Sequence, residues 1–293
     1  MKNRIKFAVF IILIAMVFTA GCTAKSTSNN KTTEEGATGN YIVLAKSKLE
    51  ASSSFESDFY AEVQIGENPK TVTNAKVQMV YEPLALKIKT QDLYAQSTID
   101  SETYLEKVDA GVNMYMAYDG EWTEMTLDEK NAMKSLGMYD AGKGMGLLLA
   151  SVENWAETSE KSGIVTITGD IPAEKVYDIS EAGSFLQLAG MNGVDQSYYS
   201  GVEAVPVEIQ LKEDGTPISF TVDFTKTLET VMNHVLQALA QDDVETISVQ
   251  KYLIKQNILS LNEIKKIEIP IAARGAINYE KEISLLENST DEQ

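Results

Sequence analysis

The chain has 293 residues, with 43 acidic and 25 basic side chains and a formal net charge of −18. Binding to nucleic acid requires a basic surface, so this charge balance argues against nucleic acid as a partner. A single cysteine cannot form an internal disulfide, and a single histidine leaves little material for a catalytic triad or a zinc centre. The composition therefore favours a binding protein over an enzyme and predicts no cofactor or metal.

Residues 1–21 have the pattern of a secretory signal peptide. Lys2, Arg4 and Lys6 precede an apolar run over residues 7–18, which is too short to span a bilayer core of about 30 Å. The sequence therefore predicts export of the chain.

The apolar run ends in Thr19-Ala20-Gly21-Cys22, which resembles the lipobox of bacterial lipoproteins, although that family usually has Leu where Thr19 stands. Lipoproteins of this kind are cut before the cysteine, which then carries lipid. The resemblance implies a diacylglyceryl-type lipid on Cys22 and a protein held at the extracytoplasmic face of the cell membrane. Secretion with a free cysteine and an uncut anchor are the alternatives.

Cleavage before Cys22 removes three basic and no acidic residues, so the net charge falls from −18 to −21. Residues 22–39 then form a predicted flexible tether, because they are rich in Ser, Thr, Asn and Gly and carry no large apolar side chain. We expect one folded domain over residues 40–280 and a polar tail over 281–293.

The folded part begins with residues 40–51, whose apolar side chains recur at helical spacing and predict a short amphipathic helix. The period then changes to two. From Phe55 to Ile65 apolar or small residues alternate with polar ones, which is typical of a strand with one wet face. Similar alternation predicts three further strands, at 71–82, 84–90 and 92–99.

Residues 112–125 predict the clearest hairpin, because the Asp-Gly pair at 119–120 suits a two-residue turn. Thr126 and Glu129 have the spacing of a capping box, which predicts a helix over 127–137. The remaining predicted elements are a helix at 146–160, a strand at 163–169, a helix at 172–188, a hairpin at 205–225, a helix at 226–241 and strands at 245–258 and 263–269. Strands and helices do not alternate as βαβ units, so the fold class is α+β with one large, mostly antiparallel sheet.

This element order resembles the bacterial lipoproteins of the LolA/LppX-like fold, in particular a branch anchored to Gram-positive membranes. The resemblance is carried by the N-terminal helix before a long antiparallel sheet, the hairpins YDGEW and KEDGTPISFTVDFT, and closing strands that end in IEIP. It implies an open half-barrel with helices packed on its concave, apolar side. Some members carry lipids or lipoproteins there, and others serve as sensors or regulators in the envelope.

Apolar side chains of the strands and helices are the candidates to line such a cavity. Six of the nine methionines outside residues 1–21 lie between positions 114 and 145, and flexible thioethers suit a cavity for apolar ligands of varied shape. Core filling and a soft-metal site for Cu(I) are the alternatives. The candidate residues are Phe59, Val63, Met79, Met114, Met116, Trp122, Trp155, Phe220 and Phe224.

Two other features carry expectations. Residues 141–146 read AGKGMG before a predicted helix, which favours a hinge or lid loop beside the cavity over an anion-binding loop. His234 lies among polar positions of its helix and is expected to face solvent.

The sequence therefore predicts a non-enzymatic, membrane-tethered lipoprotein that binds an apolar or amphipathic ligand, such as lipid, in a half-barrel cavity. The alternative is an envelope sensor or assembly factor that uses the same fold to bind a protein partner. A contiguous apolar cavity would favour the first prediction, and a closed core with an exposed apolar patch would favour the second.

Overall fold

Twelve strands and six α-helices make up the described part of the computed structural model, which covers residues 37–239 and 245–278. The strands are β1 (Ser54–Ile65), β2 (Thr71–Tyr81), β3 (Leu84–Tyr94), β4 (Ser97–Val108), β5 (Gly111–Tyr118), β6 (Glu121–Leu127), β7 (Glu153–Lys161), β8 (Ile164–Ile171), β9 (Val205–Lys212), β10 (Pro217–Asp223), β11 (Val249–Leu261) and β12 (Ile277–Asn278). The helices are α1 (Ala37–Glu50), α2 (Glu129–Leu136), α3 (Ala141–Ser151), α4 (Val176–Gly183), α5 (Thr225–Leu239) and α6 (Ile271–Arg274).

All twelve strands belong to one open sheet with the order β12-β6-β5-β4-β3-β2-β1-β11-β10-β9-β8-β7. Two antiparallel meanders, β1–β6 and β7–β11, are joined where β1 pairs with β11. Only the two-residue strand β12 is parallel to its neighbour, β6. The predicted fold class is confirmed: this is an α+β fold with one large, curved, mostly antiparallel sheet, which is the architecture that the resemblance to LolA/LppX-like lipoproteins implied.

The two faces of the sheet differ in chemistry because side chains alternate along each strand. On β1, Phe55, Phe59 and Ala61 are buried on the side where the helices pack, which we call the helix face. Asp58 and Tyr60 point to the opposite side, which we call the open face. The period-two pattern predicted from the sequence therefore separates a packed side from a wet side.

The helices enter the helix face through the connections between strands. α2 and α3 follow β6, α4 lies between β8 and β9, and α5 lies between β10 and β11. α3 packs on β1 and β11, and α5 packs on β11. Six aromatic side chains at the centre are each less than 2% exposed, and burial of one such side chain contributes about 1.5–3 kcal/mol to stability. They are Phe55, Phe59, Phe185, Phe220, Phe224 and Tyr252.

Several predicted elements are confirmed. The hairpin over 205–225 forms as β9 and β10, and the amphipathic helix after it forms as α5. Asp119 (φ 52°) and Gly120 (φ 81°) both have positive φ, as a type I′ turn requires. Residues 1–36, with Cys22, and the predicted tail over 281–293 lie outside the described residues. In the described ranges, no helix is long and apolar enough to cross a membrane.

The capping of α2 differs from the prediction by a short shift. Leu127 is the last residue of β6, and Asp128 is the N-cap, whose side chain accepts a hydrogen bond from the backbone N–H of Asn131. Thr126 instead donates a hydrogen bond from its hydroxyl to Asn113 on the neighbouring strand. Thr126 is therefore part of a strand, bonded to its neighbour, and does not cap the helix.

The helix predicted over 146–160 is wrong in its position. The helix is α3, Ala141–Ser151, and residues Glu153–Lys161 form the edge strand β7, which pairs with β8. Asp140 starts the helix early because its carboxylate accepts a hydrogen bond from the backbone N–H of Lys143. The strand predicted over 263–269 is also wrong, because this segment lies across the open face without joining a ladder.

The glycine-rich stretch 141–146 is the first part of α3 and not a hinge or lid loop, so that expectation is wrong. Its glycines allow the helix to approach the sheet closely. A Cβ atom at Gly142 would lie 2.5 Å from the hydroxyl oxygen of Tyr81, and a Cβ atom at Gly144 would lie 3.0 Å from Cζ of Phe220. Close packing of a helix on the sheet explains the glycines.

We expect Gly142→Ala to lower the free energy of unfolding by about 1–3 kcal/mol, because the added methyl group displaces the Tyr81 hydroxyl. Gly146→Ala is the matched control in the same helix. No atom lies within 4 Å of a Cβ there, so this variant should gain up to about 1 kcal/mol from helix propensity. Urea unfolding of both variants measures the difference, and equal effects would contradict the close-packing explanation.

Candidate functional site: a trough on the open face

The predicted cavity-lining residues do not surround one cavity. Five of them are buried on the helix face, namely Phe59, Met79, Met114, Phe220 and Phe224. All of these except Met114 belong to a single packed cluster with the side chains of the helices. The structure thus brings together most of the apolar residues that the sequence singled out, as parts of a core.

The other four candidates lie at different places. Val63 and Trp155 are half-buried at the margin of the same cluster. Met116 is half-buried on the helix face, one alternate position along β5 from Met114. The side chain of Trp122 lies on the open face, on the opposite side of the sheet from the helices, because of the register of β5 and β6.

His234 was predicted to face solvent, but the structure places it in a more enclosed position. Its ring is half-buried, and Nδ1 lies 2.8 Å from the backbone carbonyl oxygen of Tyr198. A carbonyl oxygen only accepts, so Nδ1 carries the proton and donates it. The histidine therefore holds the short 3₁₀ turn at Gln196–Tyr199 against α5.

The open face contains a trough with a volume of about 1040 Å³. Its floor includes a row of side chains that lie directly opposite one another on seven adjacent strands, β11 to β6. Six inter-strand spacings of about 4.8 Å give this row a length of roughly 29 Å. In order across the sheet, the row consists of Asn257, Asp58, Lys76, Lys89, Glu102, Ala117 and Trp122.

A second row lies beside the first, one alternate position further along the strands. It is rich in groups that can both donate and accept hydrogen bonds. Its members are Lys255, Tyr60, Asn74, Gln91 and Asp100. The turn between β5 and β6, at Asp119 and Gly120, forms one end of the trough. A twisted sheet is saddle-shaped, so its wet side can be hollow across the strands while the other side is covered by helices.

The lysines give the floor a mixed character. Their aliphatic stems offer apolar surface, while their ammonium groups provide charge. Lys89 forms an ion pair with Glu102 on the next strand, and the hydrogen bond from Lys89 to that carboxylate raises the pKa of the lysine. Lys76 and Lys255 have no ion-pair partner among the described residues. Both ammonium groups are thus available to a ligand.

Trp122 links the trough to the segment 263–274, which we call the strap. The strap packs over Val80, Tyr104 and Tyr115, and Trp122 contacts this packed cluster as well as the trough. The Trp122 and Tyr104 rings lie 5.8 Å apart between centroids at 49°. Trp122 therefore forms the apolar end of an otherwise polar floor.

The trough residues were missed at the sequence level, apart from Trp122 and from Phe59, which borders the trough while its side chain is buried on the helix face. Their signal is the polar half of each alternating strand, which alone predicts only a solvated surface. The row becomes visible once the register of seven strands is known, because its members are separated by up to about 200 positions in sequence. Register depends on tertiary pairing, which the alternation does not specify.

The open face also has a smaller hollow of about 390 Å³ near β8, β9 and β10, lined by Asp170, Glu208 and Asp223 among others. Asp223 forms an ion pair with Lys251, with 2.6 Å between oxygen and nitrogen. In the described residues, no group of three or more His, Cys, Asp or Glu side chains could hold a metal ion.

Comparisons with known proteins add little to this geometry. No family model matches the chain, and no curated protein matches it. Among solved structures, the chain is similar to the crystal structure of LprF from Mycobacterium bovis, with a TM-score of 0.40 and 11% sequence identity. The match covers 80% of this chain and 97% of LprF. The fold assignment rests on the strand order and register described above.

Proposed function

We propose that the protein is a lipid-anchored binding protein on the extracytoplasmic face of the cell membrane, without enzymatic activity. The signal-peptide pattern and the Cys22 lipobox support the anchor. A tether that ends where α1 begins, at Ala37, would let the folded part stand about 20 Å from the membrane. The net charge of −21 after cleavage would keep the body away from anionic lipid.

The ligand we propose is elongated and amphipathic, and it lies in the trough. Lipid is the first candidate class. The lysine stems and Trp122 would contact its apolar part, while Lys76, Lys255 and Asn74 would bind its polar groups. A ligand on the helix face would require the helices to move away from the aromatic side chains that they bury there. The trough is therefore the more accessible site. The observation that carries this proposal is the hollow of about 1040 Å³ on an uncovered sheet face.

Binding of a fluorescent long-chain fatty acid to the purified chain, without residues 1–22, tests the trough. We expect saturable binding, and Ala117→Arg should weaken it at least tenfold, because Ala117 lies in the floor between Glu102 and Trp122. Native mass spectrometry and lipid extraction of the same protein should identify a co-purified amphipathic ligand.

Thr166→Arg is the matched control. Thr166 lies on β8, also on the open face but outside the trough. An arginine at this position therefore adds the same charge as Ala117→Arg without filling the trough. Equal loss of binding in both variants would show a non-specific charge effect. Absence of both a bound ligand and fatty-acid binding in the unmodified chain would count against the proposal.

A protein partner is the second candidate function, as for an envelope sensor or assembly factor. The packed helix face and a group of exposed apolar side chains favour it. The group lies at the far ends of β3, β4 and β5, and its members are 36–47% exposed. They are Tyr94, Ile99 and Tyr118 on the helix face and Leu93 on the open face. Charged substitution of Tyr94 should leave fatty-acid binding unchanged and would disrupt such a partner contact.

A further inference from the structure

The strap is bound to the open face as a separate peptide would be. It follows β11 after Asn262, whose φ of 64° turns the chain sharply. Along residues 263–270 it joins no strand, and within the described residues one hydrogen bond links its backbone to the sheet, from Ile264 N–H to Oγ of Ser54 at 3.2 Å. Side chains therefore hold residues 263–270 in place, and backbone pairing with the sheet resumes only beyond the strap, at β12.

Two isoleucines anchor the strap. Ile267 is 8% exposed and Ile269 is 7% exposed, and both pack against Val80, Tyr104 and Tyr115 on the sheet. Their spacing of two residues places both side chains on one side of an extended backbone. By contrast, Ile271 in the same strap is 91% exposed. The surface therefore selects particular aliphatic positions of an extended segment.

An arginine closes the other end of the contact. Nη1 and Nη2 of Arg274 each lie 3.0 Å from a carboxylate oxygen of Glu106, which is a bidentate pair. Arg274 is the single arginine outside residues 1–21. The guanidinium is largely exposed, so the pair fixes register more than it contributes stability.

We propose that the surface formed by Val80, Tyr104, Tyr115 and Glu106 is a binding site for an extended segment of a partner polypeptide. Such a segment would carry two aliphatic side chains at i and i+2 and an arginine near i+7, as the strap does. The strap occupies the site in cis and competes with the partner at an effective concentration of about millimolar. Displacement would also lengthen the trough, because Trp122 borders both surfaces. This site is independent of the ligand proposed for the trough.

The test uses Trp122 as a reporter in the chain without residues 1–22. The protein has two tryptophans, so Trp155→Phe leaves Trp122 as the single emitter. The probe is a synthetic peptide of residues 263–275. A double variant, Ile267→Asp with Ile269→Asp, should release the strap. The peptide should then bind to this variant at least tenfold more tightly than to the chain with an unmodified strap. Ile271→Asp is the control and should leave binding as weak as before.

Further variants keep the test decisive. Arg274→Glu leaves both isoleucines in place and should also increase peptide binding, because it sets like charges opposite each other at Glu106. A peptide with glutamate in place of this arginine should bind at least tenfold more weakly. A folded double variant that does not bind the peptide would overturn the proposal, as would equal binding of both peptides. Concentration-dependent dimers of the unmodified chain that exchange straps would assign the site to a second copy and overturn the partner version.

Discussion

Phe59→Ala is expected to lower the free energy of unfolding by about 3–5 kcal/mol. Phe59 is 1% exposed at the centre of β1, and its ring lies 4.9 Å from the ring of Tyr139 between centroids. Truncation to alanine removes apolar contact on several sides and leaves a cavity that the sheet and the helices cannot close, since both are held by their own hydrogen bonds. Urea unfolding followed by circular dichroism measures the loss.

The same variant separates two roles of the helix face. If Phe59 lined a ligand cavity in the half-barrel, its truncation would change ligand affinity with only a small loss of stability. In a packed core, stability falls, and any binding in the trough is retained by the folded fraction. Tyr94→Ala is the control, because Tyr94 lies on the same sheet face but is 47% exposed and should change stability by less than about 0.5 kcal/mol. A loss below about 1 kcal/mol for Phe59→Ala would contradict the packed core.

The fold was largely predictable because local signals and tertiary structure agree along most strands. The alternation in β1 and in the hairpin of β9 and β10 gave the strands, their buried side and the α+β class. The prediction failed where two periodicities overlap. Val152, Trp155 and Ala156 have helical spacing, yet residues 153–161 pair with β8 as an edge strand. Ladder hydrogen bonds to β8 decide that conformation, and they do not appear in the local pattern.

The site was less predictable than the fold. Apolar residues such as Met114 and Phe220 drew attention because a half-barrel implies a cavity, whereas the structure packs them into a core. The trough depends on the register of seven strands, and the strap that packs beside Trp122 comes from the far end of the chain. IEIP reads as a closing strand, but Pro270 lacks an N–H group for a ladder and the isoleucines of this segment pack side-on against the open face.

The second large effect concerns Asp140, a carboxylate that is 4% exposed on the helix face. Its Oδ1 accepts hydrogen bonds from the Tyr81 hydroxyl and from the Lys143 backbone N–H, each at 2.8 Å. Asp140→Ala should cost about 2–4 kcal/mol, because it removes the N-cap of α3 and leaves the hydroxyl of Tyr81 without an acceptor. Asp140→Asn keeps an acceptor oxygen in place and should cost much less.

The pH dependence of Asp140→Asn follows from the direction of the pKa shift. Burial raises the pKa of Asp140 above 3.8, against the opposing effect of its hydrogen bonds. The folded state therefore holds its proton to a higher pH than the unfolded state, and the stability from this group is lost as pH rises through the folded pKa. An asparagine does not ionise, so the stability of Asp140→Asn relative to the unmodified chain should rise as the pH increases above about 4. Urea unfolding at several pH values measures this difference, and a difference that does not change with pH would show that burial of the Asp140 charge has no net cost in this range.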